Sequence, residues 1–182
     1  MGKKIIGVLV GSLRRDSYSK QIASYASSVA PDDFEMRTID IDGLPLYNQD
    51  DDENPSAAWV KFRDELRQVD GFLFVTPEYN RSIPGPLKNA LDGGSRPYGQ
   101  SVWNAKPGAI ISVSPGRLGG FGANHHLRQS LSFLNVYVLQ QPEAYFGDVA
   151  ASLDDKGSVV DESTQRHLGQ FMDAFAEWVR RF

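Results

Sequence analysis

The sequence predicts an α/β fold in which a parallel sheet carries helices on both faces. Three runs of almost wholly apolar residues, KIIGVLV at 4–10, GFLFVT at 71–76 and GAIISV at 108–113, have the length of strands that are buried on both sides. Segments with helical spacing of apolar residues alternate with them, and each run ends in a loop rich in glycine, proline or serine. In such folds, ligands bind beyond the carboxyl ends of the strands.

The first half of the chain predicts two strand–helix pairs. The strand at 4–10 leads into a helix over 18–29, which ends before Pro31. The segment 35–41 alternates imperfectly and predicts a second, more exposed strand at the sheet edge. After the acidic run 50–54, a second helix carries a stripe of apolar residues, namely Trp59, Phe62, Leu66 and Val69.

The second half continues the alternation. It adds strands at 71–76, 108–113 and 136–139. The helices between and after them start with residues 87–91, cover 127–134 and, at the end of the chain, cover 168–179. We expect residues 1–182 to form a single domain, because this length buries a sizeable core and no linker, repeat or low-complexity tract divides it.

Composition excludes several classes of function. The chain has no cysteine, so it has no disulfide framework, thiolate nucleophile or cysteine-ligated iron–sulfur cluster, and redox chemistry would need a bound cofactor. A net charge of −4 disfavours nucleic acid as a partner. The apolar run near the start is too short for a signal peptide or a membrane span. We therefore expect a cytoplasmic protein without membrane insertion.

The loop after the first strand has residues that suit a phosphate group. It matches neither a Walker A nor a G-x-G-x-x-G motif, but Ser12, Ser17 and Ser19 offer hydroxyls and Arg14 offers a charged fork. The following helix adds the positive end of its dipole. The alternative is that Ser12 and Ser17 cap this helix and that Arg14 is solvated. The position after the first strand favours phosphate.

The loop after the third strand, PEYNRSIPGPLKN, is stiffened by three prolines and suits a planar heterocycle such as a flavin better than a flexible sugar. Tyr79 supplies apolar surface there. Glu78 has no second acid or histidine at a catalytic spacing, so we expect it to have a structural or hydrogen-bonding role. Arg81 is an exposed residue in the simplest interpretation.

The loop after the fourth strand, SPGRLGGFG, allows close backbone approach to a ligand, although a mobile surface turn is the alternative. The adjacent His125 and His126 would point about 100° apart on a helix and cannot act as an i, i+4 metal pair. His167 is isolated, and we predict no metal site. A hydrolase is disfavoured because the sequence lacks a G-x-S-x-G elbow.

Three segments resemble, in the right order, the flavin loops of the NADPH-dependent FMN reductases, a family that includes bacterial chromate, quinone and azo reductases. They are GSLRRDS, TPEYNRSIPGPLKNALD and SPGRLGGFGANHHLRQSL. The likeness runs from about residue 4 through the final helix. It implies a flavodoxin-like three-layer sandwich, with a five-stranded parallel sheet of order 2-1-3-4-5 and helices on both faces.

The resemblance also implies where FMN binds. Its phosphate would be held by Ser12, Arg14, Ser17 and Ser19, and its isoalloxazine ring would be lined by Pro77, Glu78, Tyr79, Asn80 and Ser82. Its other side would be closed by Ser114, Gly116 and Gly119. No protein group would be catalytic: NADPH or NADH would pass a hydride to the flavin and leave before a small-molecule acceptor takes the electrons, which gives ping-pong kinetics.

Three positions depart from the family pattern. Ser19 stands where asparagine is frequent, Arg81 where close relatives have an aromatic residue, and Gly93 where tryptophan is common. The phosphate site tolerates the first change. The other two lie where the family builds its substrate mouth and subunit contacts, so the electron acceptor stays open, and Arg81 would favour anionic acceptors or the phosphate of NADPH.

The predicted function is that of an FMN-dependent NAD(P)H oxidoreductase that reduces quinones, azo compounds or metal oxyanions such as chromate. The alternative is an FMN-binding electron carrier or redox-responsive regulator without efficient nicotinamide turnover. A response-regulator receiver is disfavoured, because Gly11 and Ser12 stand where it needs acids. The family's homodimers or homotetramers would agree with exposed positions for Tyr98, Trp103 and Phe121, although a core role for each is an equal alternative.

Overall fold

A computed structural model describes residues 2–182 and contains a parallel sheet. Its strands are β1 (Lys4–Val10), β2 (Phe34–Thr38), β3 (Gly71–Pro77), β4 (Pro107–Val113), β5 (Tyr137–Val138) and β6 (Ala144–Phe146). They are ordered β2-β1-β3-β4-β5, and β6 also pairs with β4. Every pairing among these strands is parallel, so the predicted order is confirmed and a sixth strand is added.

Five helices cover the two faces of this sheet within the described residues. They are α1 (Tyr18–Ser28), α2 (Ala57–Arg67), α3 (Gly85–Gly94), α4 (Phe121–Phe133) and α5 (Glu162–Val179). Apolar residues of α1 and α5 form one buried cluster with the sheet, and those of α2, α3 and α4 form a second. The three-layer arrangement predicted from the sequence is therefore confirmed. No helix in residues 2–182 is both long and apolar enough to cross a membrane.

The central strands are apolar throughout because both of their faces are buried. In β1, Val8 contributes to the cluster under α1 and α5, whereas its neighbour Leu9 contributes to the cluster under α2, α3 and α4. Alternate side chains of a strand point to opposite faces. The edge strand β2 is less buried, as its weaker pattern predicts.

The second strand is shorter than the predicted segment 35–41 and ends at Thr38. The Ile39 N–H still donates to the Val8 carbonyl at 2.9 Å, but the chain then turns. The Asp40 carboxylate accepts the Asp42 N–H at 2.9 Å, and the Asp42 carboxylate accepts the Gly43 N–H at 3.0 Å. These side chains replace the ladder with a local turn.

The predicted fifth strand at 136–139 is reduced to two paired residues, and β6 was not predicted. Strand β5 pairs with the start of β4, whereas β6 pairs with its last three residues. Pro142 lies between them and has no N–H to donate to a ladder. The chain leaves the sheet there and returns further along β4, so two short strands together cover one edge.

Two positions whose location the sequence left open, or placed near the substrate mouth and subunit contacts, lie in the core. Trp103 is fully buried, and its ring packs 4.9 Å from Phe72, measured between centroids. Its indole N–H donates to the Leu91 carbonyl at 2.9 Å. Gly93 is also buried. A Cβ at this position would lie 2.2 Å from the Trp59 ring, so no larger residue fits beside that tryptophan. Trp59 thus fills the space beside α3, and Gly93 is not part of a substrate mouth within this chain.

Candidate functional site

Loops from three neighbouring strands meet at one edge of the sheet. Strand β1 pairs with β3 up to Val10, and β3 pairs with β4 up to the Pro77–Val113 register, so their carboxyl ends lie side by side. The loops that follow enclose a cleft of about 230 Å³. Its lining residues are Ser12, Arg14, Ser17, Tyr18, Ser19, Pro77, Glu78, Tyr79, Val113, Ser114 and Pro115. The predicted convergence of the three loops is therefore present.

The cleft brings together most of the residues expected to contact a cofactor. Those among its lining are Ser12, Arg14, Ser17, Ser19, Pro77, Glu78, Tyr79 and Ser114. The other expected residues, Asn80, Ser82, Gly116 and Gly119, belong to the adjoining loop segments and are not among the lining. Sequence reasoning missed Tyr18, Val113 and Pro115, each of which directly neighbours a predicted residue or strand end.

The first loop, residues 11–17, presents polar groups to the cleft. Ser12, Ser17 and Ser19 are buried, and Arg14 is exposed at the rim. Ser17 occupies the N-cap position of α1, but its hydroxyl makes no capping hydrogen bond, and the first turn of the helix has no acidic side chain. The N–H groups of that turn have no partner within the helix. Hydroxyls and N–H donors are therefore available to an anion.

Gly11 lets this loop pass close to its neighbours. A Cβ at this position would lie 2.9 Å from the Thr76 hydroxyl oxygen and 3.1 Å from the Leu87 side chain. The Gly11 N–H donates to the Val75 carbonyl at 2.8 Å. The start of the first loop therefore packs closely against the end of β3. This contact places the first loop next to the second loop.

The second loop, residues 77–84, begins with a tight hairpin turn. The backbones of Tyr79 and Ser82 exchange two hydrogen bonds of 2.9 Å, and Asn80 and Arg81 have φ values of 51° and 66°. Positive φ at both central residues is typical of a type I′ turn. The turn leaves Tyr79 half-exposed beside the cleft.

Glu78 joins this turn to helix α4. One carboxylate oxygen accepts the Ala123 N–H at 3.1 Å, and the other lies 3.1 Å from the Arg81 guanidinium. Gly122 allows the approach, because a Cβ there would lie 2.8 Å from the Arg81 carbonyl oxygen. Glu78 thus has a hydrogen-bonding role in the structure, while it also lines the cleft.

The third loop, residues 114–120, is supported rather than free. The Ser114 N–H donates to the Phe146 carbonyl of β6 at 2.9 Å, and the Ser114 hydroxyl accepts the Gly116 N–H at 3.0 Å. Gly119 has a φ of 59° and lies against Tyr145, where a Cβ would come within 2.8 Å of the backbone. These contacts argue against a mobile surface turn, and they depend on the strand that the sequence did not predict.

An aromatic cluster of Phe121, His125 and Tyr145 stands next to this loop. The Phe121 and His125 rings are 4.1 Å apart, and the Tyr145 hydroxyl lies 3.2 Å from His125 Nε2. Burial raises the pKa of Tyr145 to about 12, and the nearby Glu143 adds to the shift. No local sequence pattern indicates this cluster, because its tyrosine belongs to the short strand β6. Residues 2–182 contain no group of three or more His, Asp or Glu side chains placed to hold a metal.

Comparison with known proteins decides the family. A model of the NADPH-dependent FMN reductases matches residues 4–151. The chain belongs to this family. Membership makes it an oxidoreductase with FMN as cofactor and NAD(P)H as electron donor.

Similar proteins extend over almost the whole chain. A quinone reductase of Pseudomonas putida is 53% identical over 176 residues, which cover 96% of this chain and 94% of the relative. A 2-hydroxy-1,4-benzoquinone reductase of a Burkholderia species is 50% identical and covers 96% of both chains. The solved structure of FerB, a flavoenzyme NAD(P)H:(acceptor) oxidoreductase from Paracoccus denitrificans, superposes with a TM-score of 0.92 at 38% identity and 98% coverage of both chains.

The residues of the cleft fit an FMN. Buried hydroxyls, the uncapped start of α1 and the Arg14 guanidinium together form a donor set suited to a phosphate dianion. The lining also includes Pro77, Tyr79 and Pro115, which offer rigid, largely apolar surface. A lining with both kinds of surface suits a molecule that carries a phosphate and a flat ring system.

Proposed function

We propose that this protein is an FMN-dependent NAD(P)H:quinone oxidoreductase. The observation that carries the proposal is the convergence of the loops after β1, β3 and β4 on one cleft, polar at the first loop and stiff at the other two. The names of the Pseudomonas putida and Burkholderia relatives support a quinone as acceptor. Azo compounds and metal oxyanions such as chromate are further acceptors under the same proposal.

Each loop has a separate task in this proposal. Ser12, Arg14, Ser17 and Ser19, with the N–H groups of the first turn of α1, bind the phosphate. Pro77, Glu78, Tyr79, Asn80 and Ser82 line one side of the ring system, and Ser114, Gly116 and Gly119 close the other. When bound, FMN supplies two-electron redox chemistry that no side chain of this protein can perform. The protein's part is to bind the cofactor, orient it and leave it accessible.

Accessibility follows from the size of the cleft. Its volume of about 230 Å³ is below the roughly 300–1,000 Å³ typical of sites that enclose a whole ligand. A ligand the size of FMN would therefore stay partly accessible from outside, with the half-exposed Tyr79 among the residues that line the cleft. We propose that donor and acceptor use this mouth in turn, which makes the kinetics ping-pong.

Arg81 has a smaller influence on acceptor choice than its charge alone indicates. Its side chain is 73% exposed, and its guanidinium is paired with Glu78 at 3.1 Å. Solvent screening and this pairing reduce the field that an incoming anion meets. We propose a modest preference for anionic acceptors or for the phosphate of NADPH.

We also propose that residues 1–182 act as one FMN-binding domain in the cytoplasm, as a homodimer or homotetramer. Two aromatic residues considered for subunit contacts, Tyr98 and Phe121, are exposed in the described chain, which supports that role for them. Trp103 is excluded from it, because it is buried in the core.

Anaerobic stopped-flow mixing tests the proposed function. The purified protein is reconstituted with FMN, and the flavin absorbance is followed after NADPH or NADH is added, then after a quinone is added. We expect rapid bleaching by the nicotinamide followed by recovery with the quinone. Protein that takes up no FMN would contradict the proposal. Bound flavin that NADPH and NADH fail to bleach on a catalytic timescale would instead favour an electron carrier or regulator.

A further inference from the structure

Three polar side chains, here called the buried polar chain, link the third loop to helix α4 and to the residue after β5. They are Ser112 of β4 and Asn124 and Arg128 of α4, and the first two are fully buried. The Ser112 hydroxyl oxygen lies 2.7 Å from the Gly119 carbonyl oxygen, and the Asn124 amide nitrogen lies 3.3 Å from that hydroxyl. Arg128 donates from Nε to the Asn124 amide oxygen and from a terminal nitrogen to the Leu139 carbonyl, both at 3.0 Å. None of the three side chains lines the cofactor cleft.

The order of donors and acceptors fixes the direction of the Ser112 hydroxyl. A guanidinium has no acceptor, so the Asn124 amide turns its oxygen to Arg128 and its NH₂ group to Ser112. The Ser112 oxygen accepts from that NH₂ group, and its single hydrogen is left to donate. The Gly119 carbonyl receives it at 2.7 Å, since the Ala144 carbonyl is farther away at 3.5 Å. Each hydrogen bond between Arg128 and Gly119 is therefore donated towards the third loop.

The Gly119 carbonyl is the contact through which the buried polar chain holds the third loop. Gly119 and Gly120 have φ values of 59° and 74°, a region that glycine adopts without strain. Two successive glycines lose much conformational freedom on folding, so a directed hydrogen bond matters there. The bond from the buried Ser112 hydroxyl turns the Gly119 carbonyl into the interior of the protein. The negative end of this peptide dipole therefore points at Ser112 and not into the cleft.

We propose that Asn124 is a positioning residue for the flavin: it directs the Ser112 hydroxyl to the Gly119 carbonyl and so fixes the third loop in the form that favours reduced FMN. The proposal rests on the proposed function, in which Ser114, Gly116 and Gly119 close one side of the ring system. The ring gains electrons on reduction, and nearby dipoles of the protein set how readily it does so. A carbonyl held in the interior keeps its negative end away from that ring.

Asn124→Asp tests the direction of the hydrogen bonds and leaves the size of the side chain almost unchanged. An ionised carboxylate keeps an oxygen for Arg128 but has no hydrogen to donate. The Ser112 hydroxyl then donates to the carboxylate, which is the stronger acceptor, and the Gly119 carbonyl is released. We expect about a tenfold loss of the preference for reduced over oxidised FMN, which corresponds to a reduction potential about 30 mV lower. Redox titration of the FMN-loaded full chain, followed by flavin absorbance, measures this shift.

Ser112→Ala is the second variant, because it removes the hydroxyl through which Asn124 acts. It should lower the potential by a similar amount, and adding Asn124→Asp to it should cause no further change. Shifts that add in the double variant overturn the proposal, since Asn124 would then act by another route. The matched control is Asn104→Asp, which makes the same chemical change at an exposed position where the side-chain oxygen accepts from Asn135. It should leave the potential unchanged.

Urea unfolding of the apoproteins separates positioning from stability. If Asn124→Asp unfolds at lower urea but retains the potential of the unmodified protein, the proposal is overturned, because Asn124 would then only stabilise the fold. If Asn124→Asp does not fold, Ser112→Ala decides: a lowered potential supports the proposal, and an unchanged one overturns it. Failure of the unmodified protein to bind FMN contradicts the proposed function itself.

Discussion

The first and second loops of the site differ in whether their polar groups are already paired within the protein. The first loop keeps its polar groups available, since Ser17 stands at the N-cap of α1 without a capping bond. The polar groups of the second loop are already paired within the protein, through the hairpin bonds between Tyr79 and Ser82 and through the contacts of Glu78 with Arg81 and with the Ala123 N–H of α4. Under the proposed function, we expect the first loop to contribute most of the binding energy and the second loop to fix the shape of the site. Substitutions in the two loops should therefore separate affinity from stability.

Arg14→Ala should have the largest effect on affinity and almost none on folding. Arg14 is exposed, and a weak 3.4 Å bond to the Asp16 carbonyl is its one contact of note in the apoprotein. A charge-assisted hydrogen bond contributes roughly 1.5–3 kcal/mol, so FMN binding should weaken by about 10- to 100-fold. Fluorescence titration gives the dissociation constant, and thermal melting of the apoprotein gives the stability. The control is Arg15→Ala, whose side chain does not line the cleft. A matching loss of melting temperature would break the distinction between the loops.

Gly122→Ala should lower the free energy of unfolding more than it weakens FMN binding. The new Cβ would lie 2.8 Å from the Arg81 carbonyl oxygen and 2.9 Å from the Glu78 carboxylate. Because a backbone atom cannot rotate away, we expect the apoprotein to lose about 1–3 kcal/mol, with a smaller loss of FMN affinity. Urea unfolding measures the difference. Gly169→Ala in α5, where a Cβ meets open space, should instead stabilise the protein by roughly 0.5–1 kcal/mol. Equal behaviour of the two variants would show that the second loop does not hold its shape through α4.

Glu78→Ala should show the same pattern with a smaller amplitude. It leaves the Ala123 N–H without its acceptor in a nearly buried position, which costs about 1–2 kcal/mol. Glu78→Gln retains an oxygen for this bond and should lose less than about 1 kcal/mol. Arg81→Ala removes only the exposed ion pair and should be close to neutral. If Arg81→Ala proves as damaging as Glu78→Ala, the ion pair and not the helix contact would be what fixes the turn.

The central architecture followed from sequence patterns because central parallel strands are buried on both faces. The apolar runs that form β1, β3 and β4 could be predicted as strands from their own composition. The parallel strand order then places the loops after them at one edge of the sheet. The strands at the edge of the sheet were harder to predict. Strand β6 has three residues, and its pairing with β4 depends on where Pro142 lets the chain return. No local pattern contains that information.

Some features of the site could not be predicted from the sequence, because they also depend on residues far apart in the chain. The type of residue indicated that Glu78 would make hydrogen bonds, but its partner, Ala123, is 45 residues away. The positive φ angles of Asn80 and Arg81 contradict local propensity for arginine and arise from the hairpin bonds around them. Trp103 was equally suited to a surface or a core, and only the space beside Phe72 settles its position.

The contact between Gly93 and Trp59 has a consequence for how such sequences vary. A Cβ at position 93 would overlap the indole ring at 2.2 Å, so position 93 cannot gain a side chain while Trp59 keeps its place. A lineage that acquires a large side chain at one must first tolerate a small one at the other, through an intermediate with a cavity that costs several kcal/mol. We therefore expect the residues at these two positions to vary together in size.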